Sequence, residues 1–429
     1  MAGRRAEPGA GVLAAYAVPF TGGALLLFTV QFFFLKYATD VLLLSPVLLG
    51  TVFGLSKLVD AVTDPVIGAW SDRTDTALGR RRPWMFGSAL LVGLSFFAIW
   101  NPPQLGSGAT TAWVCASVVL FYVCFTGYNV PHFALGAELS PSPHGRTRLY
   151  GARQGVETVG MLLAFGVMQV VSEAESPRAT ALGVTALIAL AAGLLLLGTP
   201  LLLRERPTHR GRGGRALHAS LMDVLRNPHG PRLMLAWWLA FLGMSALGVL
   251  GPYAAEYVLG RPDLIAALPG TFVVASLAAI PIWVRLARLF GKIRAWIWSL
   301  LGVGLALGSL LLSDPGNVSW FFVATAAAGA CLGGSSVIGP SVLADVIDRD
   351  EHLTRERKEG VYASVFGLVG KGGAAFVTAL IGALLGWSGY TPNEVPDAAV
   401  RAALLHTFVG VPAAASVLSA LVLRGLRLG

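Results

Sequence analysis

The chain has 429 residues, of which 55% are hydrophobic and 13% are charged, and its mean hydropathy is +0.68. Soluble domains carry about 25% charged residues, so this composition excludes a soluble globular protein and indicates an integral membrane protein. The net charge of +9 and the pI near 9.8 are compatible with a nucleic-acid partner only if the basic residues cluster on a soluble surface.

Apolar stretches of about 20 residues, the length that crosses a bilayer as a helix, recur along the whole chain. We predict twelve of them, near residues 12–38, 46–71, 83–101, 110–134, 148–172, 180–203, 231–258, 265–290, 293–313, 317–344, 360–388 and 398–424. The first is too long for a signal-peptide core and has no obvious early cleavage site, so it counts as a span. The chain is therefore predicted to be an all-α membrane protein.

The basic residues orient these spans. If the N-terminus and every second loop are placed on one side, nearly all Lys and Arg residues outside the spans lie on that side, and the exceptions are Arg178, Arg261 and Arg401. This is the positive-inside pattern, which predicts cytoplasmic N- and C-termini and no nucleic-acid partner. Abundant Ala, Leu, Gly and Arg with few Lys residues is typical of a bacterium, hence of its inner membrane.

A basic, Gly-rich polar segment divides the chain near its middle. We predict an N-terminal six-helix bundle at 1–203, a cytoplasmic linker at 204–230 and a C-terminal six-helix bundle at 231–429. One offset of 212 residues aligns the halves without gaps from the second to the fifth helix of each, pairing Arg73 with Arg285, Gly79 with Gly291, Arg80 with Lys292, Trp84 with Trp296 and Tyr150 with Tyr362. Two such pseudo-symmetric repeats are typical of carriers that work by alternating access.

Charged residues inside the second span do not recur in the second half. Asp60 aligns with Phe272 and Asp64 with Ser276, so the shared fold does not require these carboxylates. Each would cost roughly 2.5 to 3.5 kcal/mol in the hydrocarbon region, which indicates a function.

Asp60 and Asp64 share one helix face, and Lys57 lies on the same face one turn earlier. Carboxylate oxygens suit a monovalent cation such as Na⁺, and a carboxylate raised in pKa by burial can instead carry a proton. The alternative is a structural ion pair between Lys57 and one aspartate, with the other aspartate at a helix kink before Pro65.

Other polar residues in predicted spans are candidates for solute contact. Lys371 lies among glycines in the eleventh span and Arg153 is at the start of the fifth, where Arg153 and Glu157 form an i, i+4 pair that is either a gate or a solute contact. Tyr128 and Asn129 offer hydrogen-bonding groups in the fourth span.

The segment after the tenth span mixes acidic and basic residues. We place Asp345, Asp348 and Arg357 in a cytoplasmic loop and expect them, with Lys57 and Glu157, to form gate salt bridges. The seven histidines form no catalytic or metal-binding constellation, so we predict no enzyme and no cofactor other than the coupling ion.

Several of these residues fall in motifs that resemble a known family. Lys57-Leu-Val-Asp60-Ala-Val-Thr-Asp64-Pro65, the run from Gly79 to Trp84, and Gly370-Lys371-Gly372-Gly373 are similar to motifs of the glycoside-pentoside-hexuronide:cation symporters. These are the melibiose permease group of the major facilitator superfamily, and the likeness extends over nearly the whole chain. The resemblance implies that Asp60 and Asp64 bind the cation with Thr126, and that Arg153 and Lys371 lie by the solute.

Two departures from that family concern the sugar site. Melibiose-type members carry two acidic residues that grip the sugar. The corresponding positions in this chain are approximately Ala24, in the first span, and Asn129, in the fourth. Sugars favour bidentate carboxylates, and the Arg153 and Glu157 pair is instead similar to that of lysolipid symporters. We therefore expect a monomeric symporter, driven by Na⁺ or H⁺, for a sugar or glycoside, or alternatively for a lysolipid or other amphipathic solute.

Overall fold

The computed structural model describes residues 8–104, 106–140, 143–205, 217–312, 314, 317–354, 359–387, 389–392 and 397–426, and the regular structure within them is helical. The α-helices are α1 (Ala10–Ala17), α2 (Phe20–Asp40), α3 (Pro46–Arg73), α4 (Arg82–Trp100), α5 (Ser107–Leu139), α6 (Pro143–Ser172), α7 (Pro177–Leu202), α8 (Leu217–Arg226), α9 (Gly230–Tyr253), α10 (Ala267–Phe290), α11 (Lys292–Gly308), α12 (Val318–Thr354), α13 (Glu359–Trp387) and α14 (Ala398–Arg424). A π-helical turn, Ala254–Val258, continues α9.

Twelve helical stretches in the described part of the chain are long and apolar enough to cross a membrane, which confirms the predicted all-α membrane fold. Their bounds agree with the predicted spans to within a few residues, except at the end of the tenth, where α12 continues to Thr354. Placing Asp345 and Asp348 in a loop was therefore wrong. Hydropathy marks where the apolar region ends, but charged side chains are compatible with a helix that extends beyond it.

Local sequence explains where several helices begin. Pro46 and Pro177 are the first residues of α3 and α7, where the missing N–H group is not needed. Gly291 separates α10 from α11 at φ +89, a conformation that glycine adopts without strain. Asp397 caps α14 by accepting a 2.7 Å hydrogen bond from the Val400 backbone N–H.

The chain divides into two compact units. The first comprises Met1–Leu44 and Leu55–Gly214, and the second comprises Ser45–Gly54 and Arg215–Gly429. The division after Gly214 falls within the segment predicted as a linker. The first residues of α3 group with the second unit, while the part of α3 that carries the aspartates belongs to the first.

A break in the first span shapes the first unit. Pro19 has no N–H group, so the helix stops at Ala17 and restarts at Phe20. The carbonyl groups next to the break bond to other helices: Ala15 accepts from the Thr199 hydroxyl at 3.2 Å, and Tyr16 accepts from the His132 imidazole Nε2 at 2.9 Å. The break is thereby fixed to α7 and α5.

The linker contributes a helix to the second unit. Val224 on α8 is fully buried in a hydrophobic core that includes Trp296 and Tyr362. Asn227, directly after α8, donates a 2.7 Å hydrogen bond to the Tyr362 hydroxyl, and both residues are buried. The C-terminal part of the predicted linker is thus a docked helix.

Close glycine contacts join α10 to α12 in the second unit. A Cβ atom on Gly329 would collide with the carbonyl of Phe272, and one on Gly333 would collide with the carbonyl of Ser276. The two glycines lie four residues apart on one face, the spacing that lets membrane helices approach until their backbones touch. At these two positions the backbone of α12 therefore lies directly against the backbone of α10, with no side chain between them.

We expect Gly329→Ala to lower the stability of the second unit by about 1 to 3 kcal/mol, because the added methyl group must push α10 and α12 apart. The measurement is the thermal unfolding midpoint of the purified protein in detergent. Gly270→Ala is the matched control, since a Cβ atom on Gly270 in α10 meets no atom within 4 Å. Equal midpoints for the two variants would contradict the packing argument.

Candidate functional site

The predicted cation residues lie on α3 in the arrangement that their spacing predicts. Lys57 and Asp60 are buried, with exposed fractions of 7% and 8%, and Asp64 is half-buried one turn further on. A carboxylate so deeply buried in an apolar bundle requires donors or a cation close to it.

Thr126 on α5 supplies one such donor. Its hydroxyl, which is 1% exposed, donates a short hydrogen bond to Oδ1 of Asp60. The structure therefore brings together Asp60 and Thr126, which are 66 residues apart in sequence. A carboxylate and a hydroxyl oxygen on neighbouring helices form a donor set that suits a hard monovalent cation.

Arg153 on α6 is held by contacts on several sides. Its Nη2 donates a 2.6 Å hydrogen bond to the Asn129 side-chain oxygen, and its Nη1 lies 3.7 Å from a carboxylate oxygen of Glu157. The guanidinium carbon lies 3.9 Å from the centre of the Phe20 ring and 5.6 Å from that of Phe133, so cation–π attraction adds to its positioning. The i, i+4 pair expected from the sequence is thus one part of a larger arrangement.

The fourth span links the two groups of residues. Thr126 contacts Asp60 and Asn129 contacts Arg153, and these two α5 residues are three apart, hence on one face of the helix. A shift of α5 would therefore act on the carboxylate and on the guanidinium together.

Tyr128 and His132 have a packing role that sequence reasoning did not identify. Tyr128 is fully buried and its hydroxyl donates a 2.8 Å hydrogen bond to the Leu196 carbonyl, so its geometry favours packing over solute contact. His132, one turn further on α5, stacks on Tyr128, Tyr16 and Phe20. The i, i+4 spacing of Tyr128 and His132 was the available sequence signal.

The Ala24 position also has a structural explanation. Ala24 on α2 is fully buried, and a Cβ atom on Gly160 of α6 would lie only 2.6 Å from that of Ala24. A longer acidic side chain would collide with α6. The absence of the carboxylate at this position therefore accompanies a tight helix contact.

Lys371 belongs to the second unit. It is half-buried on α13, and the neighbouring glycines allow α9 to approach closely. A Cβ atom on Gly373 would lie 2.9 Å from the Trp238 carbonyl oxygen, and one on Gly370 would lie 3.2 Å from the Phe241 ring.

The predicted gate residues are distributed differently from our expectation. Asp345 pairs with Lys292 at 2.7 Å, which joins α12 to α11 within the second unit. Asp348 is exposed on α12, and Arg357 lies outside the described residues. Their role as gate residues remains a prediction.

A largely buried charge cluster at one end of the first unit includes three acidic residues that sequence reasoning missed. Arg80 and Arg81 both contact Glu138, the latter at 2.8 Å, and Arg81 also contacts Asp72 at 3.1 Å. Glu205 accepts three successive backbone N–H groups at the start of α4, at 2.7 to 3.1 Å. Burial lowers the pKa of Arg81, and the Glu138 and Asp72 carboxylates oppose that shift.

Comparisons with known proteins agree with this architecture. The sequence profile of a family described as MFS/sugar transport protein matches residues 15–429. The chain is 26% identical to the isoprimeverose transporter of Lactiplantibacillus pentosus over 92% of this chain and 84% of that protein. It is also 26% identical to the sodium-dependent lysophosphatidylcholine symporter 1 of Mus musculus, over 77% of this chain and 68% of that protein.

A solved structure shares the fold. The xylose transporter of E. coli, in a partially occluded inward-open conformation, superposes with a TM-score of 0.67 at 16% sequence identity, covering 96% of this chain and 97% of that one. The fold of the chain is thus that of the major facilitator transporters.

We expect Thr126→Val to destabilise the protein by about 1 to 3 kcal/mol in Na⁺-free buffer, because the buried Asp60 carboxylate loses a hydrogen-bond donor while side-chain volume is kept. The readout is the thermal unfolding midpoint. Thr29→Val is the control, since the buried Thr29 hydroxyl bonds only a carbonyl of its own helix, Leu25, among the hydrogen bonds described for it. A larger loss for Thr29→Val would contradict the role of Thr126.

Proposed function

The chain belongs to the MFS/sugar transport protein family, and from this premise we infer that it is a cation-coupled symporter that moves an organic solute across a membrane by alternating access. The observation that carries the proposal is the contact between Thr126 and the buried Asp60 carboxylate. A cation bound there would offset the cost of burying the charge.

The two carboxylates have separate positions in this proposal. Asp60, buried and bonded to Thr126, is the principal cation ligand, and the half-buried Asp64, one turn along α3, is the second. Na⁺ would be bound by the carboxylate and hydroxyl oxygens, whereas H⁺ would be held as a carboxylic acid. Either ion removes net negative charge from the site, which favours the movement of helices around it.

We propose that the solute contacts Arg153, Asn129 and Lys371. Arg153 is pre-positioned by Asn129, Glu157 and the Phe20 ring, so little side-chain freedom is lost when it donates to a solute oxygen. A sugar or glycoside hydroxyl is the first candidate, and the bacterial isoprimeverose transporter supports it.

A second candidate solute is a lysolipid or another amphipathic or hydrophobic molecule. The tight contact of Ala24 with α6 and the amide at Asn129 favour it, because neither position offers a carboxylate for sugar hydroxyls. The lysophosphatidylcholine symporter of the mouse is a relative with such a substrate.

The remaining assignments follow from family membership and charge distribution. The protein is integral to the membrane. We propose the inner membrane of a bacterium, cytoplasmic termini, a monomer as the working unit, and no catalytic activity.

We expect cation and solute to stabilise the protein mutually, because each binds more tightly to the state that the other favours. A panel of isoprimeverose, xylose, a glucuronide and lysophosphatidylcholine is tested by thermal shift with and without Na⁺, and at two pH values. A ligand at about 100 times its Kd adds about 2.7 kcal/mol. If the protein were a carrier without coupling, its stabilisation by solute would not depend on Na⁺ or on pH.

We expect Asp60→Asn and Asp64→Asn to abolish cation-dependent uptake of the stabilising solute into proteoliposomes, because an amide cannot replace the lost charge. Asp263→Asn is the control, as Asp263 is exposed and pairs with Arg261 at 2.6 Å. Monodisperse protein on size-exclusion chromatography shows that the variants fold. Undiminished coupled uptake by Asp60→Asn would refute the cation site.

A further inference from the structure

Tyr122 has no role in the site described so far. It lies on α5 one turn before Thr126 and is 3% exposed. Among the described residues its hydroxyl has no hydrogen-bond partner. The large majority of buried side-chain hydroxyl groups in proteins have a partner, so this oxygen calls for an explanation.

The position of Tyr122 places it beside the carboxylate. Residues four apart lie on the same helix face, and Thr126 on that face bonds Asp60. The Tyr122 hydroxyl lies within electrostatic reach of Asp60 but does not form a hydrogen bond with it. Tyr122 therefore lies on the face of α5 that meets Asp60, and the described contacts leave its hydroxyl group unused.

The internal repeat shows that the fold does not require this residue. With the 212-residue offset, Tyr122 aligns with Gly334 and Thr126 aligns with Ile338. Gly334 packs against the Trp283 ring and Ser299 in the second unit. The hydroxyl groups at the Tyr122 and Thr126 positions thus occur only in the half of the chain that carries Asp60 and Asp64.

Packing alone would explain the ring but not the hydroxyl group. The Tyr122 ring contacts Phe121 edge-on at 5.6 Å, and phenylalanine would preserve that contact. A ring without the oxygen would also avoid the burial of an unpaired polar group.

We propose that the Tyr122 hydroxyl is a further oxygen ligand of the coupling ion, beside Asp60 and Thr126, and that the ion is an alkali cation. This inference rests on the proposed symport function. Alkali cations take neutral hydroxyl oxygens as ligands together with carboxylates, and the phenol oxygen has lone pairs that are free of other bonds in the described residues. A neutral ligand strengthens binding of a metal cation without adding charge to the buried site.

The test is a Na⁺ titration of the purified full-length protein, followed by thermal shift at constant pH and ionic strength. We expect Tyr122→Phe to raise the Na⁺ concentration for half-maximal stabilisation by about tenfold, the lower end of the usual range for partners of a metal site. Tyr128→Phe is the matched control, because Tyr128 lies on the same helix and its hydroxyl bonds the Leu196 carbonyl. The Tyr128→Phe variant loses a buried hydrogen bond, but its half-maximal Na⁺ concentration should equal that of the unmodified protein.

A second variant separates the oxygen from the aromatic ring. Tyr122→Gln offers an amide oxygen, so its half-maximal Na⁺ concentration should lie below that of Tyr122→Phe. It also provides a measurement if Tyr122→Phe cannot be purified. The proposal is overturned if Tyr122→Phe has the same half-maximal Na⁺ concentration as the unmodified protein, or if Tyr122→Gln and Tyr122→Phe have the same value. It is also overturned if Tyr128→Phe raises this concentration as much as Tyr122→Phe does.

The same experiment distinguishes failure of this inference from failure of the symport proposal. If Asp60→Asn abolishes the Na⁺ response and Tyr122→Phe leaves it intact, the cation site stands and Tyr122 is not a ligand. If the unmodified protein responds to pH alone, coupling to protons stands and the alkali-cation ligand is rejected. If it responds to neither ion, both proposals fail.

Discussion

The constraint on which the site depends is the burial of the Asp60 carboxylate inside an apolar helix bundle. Desolvating an unpaired charge is so unfavourable that its surroundings must supply donors or a counter-ion. The Thr126 hydroxyl on α5 meets part of this requirement, and α5 also carries Asn129, which holds Arg153. One helix thus supplies a donor to the buried carboxylate and also holds Arg153, a candidate solute residue.

The contacts between the second and fourth membrane helices differ between the two halves. In the second unit, Gly329 and Gly333 bring α12 against the carbonyls of Phe272 and Ser276, the residues that align with Asp60 and Asp64. The glycine positions correspond to Ser117 and Phe121 in the first half, and both of these residues are buried. In the first half, Asp60 meets the Thr126 hydroxyl of α5, so equivalent helices are joined by a polar contact there and by glycines in the second half.

The spans were predictable because apolar length is a direct physical requirement for crossing a bilayer, and Asp60 was recognisable because a charge there is unfavourable. The continuation of α12 through Asp345 could not be predicted, because hydropathy indicates where the apolar region ends and not where the helix ends. Nor could the orientations of Tyr128 and His132 be predicted. In an apolar span the lipid-facing and interior faces have similar hydropathy, so periodicity does not indicate which side chains turn inward. The Arg153 pair with Glu157 followed from i, i+4 spacing, whereas its contacts with Asn129 and Phe20 depend on tertiary packing.

The glycine contact between α10 and α12 also has a mechanical meaning. Backbones that touch without intervening side chains have no soft layer between them, so these two helices respond to force as one stiff element. The equivalent helices of the first half are joined through Thr126 and a carboxylate, a joint whose strength changes with the charge on Asp60. In the proposed symport, an ion bound at Asp60 would change the contact between α3 and α5 in the first half and leave the α10–α12 contact of the second half unchanged.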